Sequence, residues 1–144
     1  MERIFNIADY FLFLQDYDCE DHISYCKLQN LCYCAQGINL ATTGKRLFDN
    51  DIYEWTYGAN IHALYERYKG KVRGVLPINR DFSMKDVSQD TAQLLNEVYS
   101  EYGQYVGFTL GMIVRESVPW LNAVRSKDHI IKDKDMIIHF KKSI

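Results

Sequence analysis

The sequence predicts a mainly α fold: a compact bundle of about six or seven helices around a central buried helix at 24–43, with at most a short β piece near 51–57. Three observations carry that expectation. Leu28, Leu31, Cys32, Ala35 and Ile38 recur at spacings of three and four, which puts them on one helical face. Ser24 precedes that run as a cap able to accept a first-turn N–H, and Gly44 follows it where a residue without Cβ can take the left-handed closing turn. Similar helical spacing, punctuated by caps and breakers, returns along the rest of the chain.

The first helix is expected at 4–15, where Ile4, Ile7, Ala8, Phe11 and Leu14 mark one face. Phe5, Leu12 and Phe13 make it apolar on nearly all sides, so more than one face should be covered. An acidic loop at 16–22 leads to the central helix. Off its apolar stripe lie Lys27, Asn30 and Lys45, while Tyr25, Gln29, Tyr33 and Gln36 flank the stripe without forming a plainly solvated face. A polar turn at 45–50 follows, then DIYEWTY at 51–57, whose alternation suggests a short extended piece. Gly58 permits a sharp turn, and Asn60 is placed to cap a helix reaching Tyr68.

Residues 69–80 carry two glycines and a proline and read as a loop. Ser88 caps an expected helix at 89–101, with Ala92, Leu95, Val98 and Tyr99 as its buried stripe. Tyr102-Gly103 breaks it. A helix at 104–115 resumes with Phe108 and Ile113 as its apolar residues and two glycines that allow close helix approach. Pro119 suits a helical first turn, where its missing N–H is no loss, and opens a helix at 120–126. The last helix, 133–142, begins with acids and ends with Lys141 and Lys142, which complements its dipole. Nothing in the loops demands a boundary, so 1–144 is expected to be one domain.

The totals narrow the function classes. Charged residues at 25% and hydrophobic residues at 47% are ordinary for a globular protein. A net charge of −2 argues against a dedicated nucleic-acid binder. Charge is uneven: residues 1–21 hold six acids against Arg3 alone, whereas 125–144 hold six Lys/Arg against three Asp. Those ends suit each other, or partners of opposite sign. Tyr is abundant, with eleven copies, and its half-apolar ring is common at partner surfaces. No leader-like segment or membrane-length apolar run is seen, and the expected location is the cytoplasm. The four cysteines are expected to be free thiols there.

Chemistry-bearing patterns are sparse. Cys19-x-x-His22-x-x-x-Cys26 has ligand-like gaps, but Cys32 lies on the core stripe, and loop or buried thiols are the preferred reading, with no metal assigned. No nucleophile elbow or Cys–His pairing marks a catalytic centre, and Gly70 and Gly74 lack the strand and spacing of a phosphate loop. No catalytic residue and no cofactor is assigned. Arg67, Lys69, Lys71, Arg73 and Arg80 are interleaved with Tyr65, Tyr68 and Phe82, a mixture that can hold nucleic acid but is more often a solvated loop. Trp55 and Trp120 fit equally as core anchors or as interface hot spots.

Several stretches together resemble one family. Lys27-Leu28-Gln29-x-Leu31-x-Tyr33-x-Ala35-Gln36-Gly37 resembles the K-L-Q-K-L-L-Y-Y-A-Q-G block of the Panacea, SocA-like antitoxin domain. Gly44-Lys45-x-Leu47-Phe48, then Asp51-Ile52-x-x-Trp55-x-Tyr57-Gly58, is similar to its next block. Tyr102-Gly103-Gln104-Tyr105 looks like its Y-G-x-Y, and Pro119-Trp120-x-x-Ala123-x-Arg125 like its P-W-x-x-A-R. The chain departs from the pattern at Ala59, where the family has Pro, and at Arg115 and Ser117, where it commonly has His and Glu.

The resemblance implies a bacterial or prophage antitoxin, not an enzyme, which neutralises a toxin encoded nearby by direct protein–protein binding. In a variant of that reading a protease is a further partner, to which the toxin is delivered. Nucleic acid and membrane are not expected partners, and oligomeric state is open. The matched residues are then candidates for partner contact or internal structure. For Gln29, Tyr33 and Gln36 the internal alternative is a set of hydrogen bonds tying the helix to 55–58.

Overall fold

Helix α2 (Tyr25–Thr43) forms where its caps direct it. The Ser24 hydroxyl accepts the Lys27 N–H at 3.1 Å, and Gly44, at φ 75°, turns its own N–H onto the Leu40 carbonyl. The computed structural model describes residues 1–15, 22–70 and 74–144. Around α2 are packed α1 (Ile4–Leu14), α4 (Gln89–Tyr102), α5 (Gly107–Arg115) and α7 (Asp133–Lys141). Short helices α3 (His62–Tyr68) and α6 (Val118–Arg125) complete seven α-helices among the described residues, and a 3-10 turn covers Met84–Asp86. The expectation of a mainly α bundle around a central buried helix holds.

The burial of α2 exceeds what its apolar stripe suggests. From Tyr25 to Gly37 every residue except Cys26 is buried, including Lys27, Gln29, Asn30 and Gln36. Lys27 and Asn30 are therefore interior, not on a solvated flank. The cause is coverage from several sides at once, which forces the polar side chains to find partners indoors.

The β component is a hairpin. Strand β1 (Tyr53–Trp55) pairs antiparallel with β2 (Gly58–Asn60), Trp55 opposite Gly58. The extended reading of 51–57 caught the first strand and missed the second, because GAN is too short and small to show alternation. Asn60 does not cap α3; Ile61 holds that position without a side-chain cap, and the Asn60 side-chain oxygen accepts from Tyr25 Oη at 3.3 Å. Such a small hairpin needs outside support. The outer edge of β1 receives it from 129–131: Glu54 N–H donates to the His129 carbonyl at 3.0 Å, and Ile131 N–H to Ile52 at 2.8 Å.

Two helical expectations need correction. The helix expected from 104 begins only at Gly107, after a turn at 103–106. Its glycines do permit close approach, since a Cβ at Gly111 would lie 2.7 Å from the Tyr57 carbonyl oxygen. Phe108 and Ile113, however, face outward, Phe108 at 72% exposure. Leu110, Gly111 and Val114 are the buried side of α5.

Candidate functional site

The residues singled out by the family blocks converge on α2 and the segments that touch it, and most of their polar atoms are engaged inside the protein. Gln29 accepts the Ile61 N–H on Oε1 at 2.8 Å and donates from Nε2 to the Ile61 carbonyl at 3.2 Å and to Tyr25 Oη at 2.9 Å. Asn30, next in sequence, accepts from Ala59 N–H at 2.8 Å and donates to the Tyr57 carbonyl at 3.1 Å. Two carboxamides thus stand in for a third strand along the free edge of β2. Gln36 repeats the device one segment away: Oε1 accepts Leu47 N–H at 2.6 Å, and Nε2 donates to the Phe48 carbonyl at 2.8 Å. In each case a buried backbone is satisfied by a side chain of fixed shape.

The other matched polar residues behave alike. Lys27, 1% exposed, donates from Nζ to the Gly103 carbonyl at 2.7 Å, tying α2 to the end of α4. Tyr33 Oη lies 3.1 Å from Ser117 Oγ, and Ser117 in turn donates to the Val114 carbonyl at 2.6 Å. Burial raises the Tyr33 phenol above its ordinary value, so it stays protonated. Trp120 donates from Nε1 to the Gly58 carbonyl at 2.7 Å. Gly58 has φ 126°, which an L side chain rarely adopts, and a Cβ there would strike the Asn30 carboxamide. Gly37 is required differently: a Cβ would overlap the Phe140 ring of α7.

The apolar members have packing roles. Leu28 and Leu31 are fully enclosed, and Pro119 is buried in the first turn of α6. Trp55 meets the Tyr25 ring edge-on at 5.8 Å and the Tyr57 ring at 5.0 Å. Tyr102 packs edge-on to Phe140, and Tyr105 lies partly buried against the core. Trp55 and Trp120 are both half-buried. Among the matched residues Lys45, Asp51, Tyr57, Gln104 and Arg125 are exposed, Tyr57 at 55%.

Sequence reading missed two members of this network. Asn30 lies off the apolar stripe and has no role legible in the sequence, although an Asn in a helix interior competes with its own backbone unless a partner fixes it. Ser117 drew notice only as a departure from the family pattern; here it is the partner of Tyr33. The cysteine–histidine grouping does not assemble among the described residues: Cys19 lies outside them, and Cys26 directs Sγ toward the Tyr57 carbonyl at 3.3 Å. Burial raises the thiols of Cys26, Cys32 and Cys34, which disfavours thiolate chemistry.

The basic stretch is partly neutralised. Arg67 NH1 lies 3.0 Å from the carboxylate of Asp9, itself 2% exposed, and Asn79 donates to the same carboxylate at 3.1 Å. Lys69 pairs with Glu66 at 2.8 Å. Lys71 and Arg73 lie outside the described residues.

This is a small, mainly helical fold whose matched side chains chiefly hold two loops and a hairpin against one buried helix. The sequence model of the family described as "Antitoxin SocA-like, Panacea domain" matches residues 28–121, and the chain belongs to that family. No curated protein and no solved structure matches it. Among the described residues, no helix is long and apolar enough to cross a membrane.

Proposed function

We propose that this protein neutralises a cognate toxin by binding it directly, and that it does so without catalysis. The family match over 28–121 carries the reading, because it covers most of α2, the whole hairpin and the first half of α6. The hydrogen-bonding pattern supports one refinement. Gln29, Tyr33 and Gln36 are committed to internal partners, so they act as framework, and contact with a toxin falls to exposed side chains. The tyrosines divide in the same way: Tyr10, Tyr25, Tyr33 and Tyr68 are buried, whereas Tyr57 and Tyr65 remain outside. The basic stretch favours nucleic acid less, since Arg67 and Lys69 already face carboxylates.

Co-expression with the product of the neighbouring gene tests the proposal. The expected outcome is copurification and relief of growth arrest. Failure to do either with any adjacent product contradicts it. Toxin half-life with and without the chain then separates occlusion, which leaves it unchanged, from delivery to a protease, which shortens it.

A further inference from the structure

We draw no further inference here: the strongest candidate, the cavity lined by Arg67, Tyr68, Pro77, Ile78 and Asn79, carries nothing, because the buried Asp9 carboxylate already neutralises its arginine and nothing in the structure aims the partnerless Tyr68 hydroxyl into it.

Discussion

Gln29, Asn30 and Gln36 illustrate how a carboxamide can replace a strand. Each has an acceptor and a donor on one rigid plane, so it can satisfy a backbone N–H and a C=O on the same segment. Gln36 does this for Leu47 and Phe48 with no exposed atom of consequence, being 1% accessible. Replacing it with Leu keeps the volume roughly constant and removes both bonds. The buried Leu47 N–H and Phe48 carbonyl then lose their partners, and a loss of about 2–4 kcal/mol is expected. Urea unfolding of Gln36→Leu beside wild type measures it. A change below about 0.5 kcal/mol would mean that the loop relaxes to water and that the clamp matters little.

Helices α2 and α7 make the most extensive helix contact in the molecule, and it depends on one missing Cβ. Phe140 lies over Gly37 and meets Tyr33 edge-on at 5.5 Å, so the glycine creates the space the ring occupies. Gly37→Ala should improve helix propensity by about 1 kcal/mol yet destabilise overall, because the methyl group must displace an aromatic ring in a packed interior. The expected net cost is about 1–3 kcal/mol. Combining it with Phe140→Leu should recover part of that cost, a coupling that a double-mutant cycle in chemical denaturant reads directly. Purely additive losses would show that Gly37 is not there for Phe140. The start of α7 is tied separately, by Arg46 donating to Asp133 at 2.9 Å and to the Asp49 carbonyl at 2.8 Å.

At the scale of the whole molecule, packing centres on α2, which α1, α4, α5 and α7 all contact. Helix α7 sets one pH dependence. His139 is partly buried in its last turn and close to Lys142; both burial, the larger cause, and the nearby ammonium lower its pKa from the ordinary 6.5. The unfolded chain therefore takes up the proton first as pH falls. The contribution of His139 is complete above about pH 6.5 and is lost as pH drops from there through the folded value. His139→Gln should flatten the stability profile between about pH 5 and 7 relative to wild type. Thermal unfolding across that range checks it, and parallel profiles would assign the slope to other groups.

Sequence alone determined the helical class, the caps at Ser24, Gly44 and Ser88, the central place of α2 and the family, because each is written in local spacing or in short ordered blocks. Capping needs only neighbours within a turn, and apolar periodicity needs only one helix. Tertiary structure decided what the polar residues of α2 do. Whether Gln29 meets Ile61 or a partner depends on a segment 32 residues away, and no local pattern encodes that distance. It also decided that GAN forms a strand, through pairing with β1 on one side and the Asn30 carboxamide on the other. Phe108 shows the same limit from outside. Its spacing suits a buried helix face as well as an exposed one, and the choice fell to Leu110, Gly111 and Val114 once Gly111 settled against the Tyr57 carbonyl.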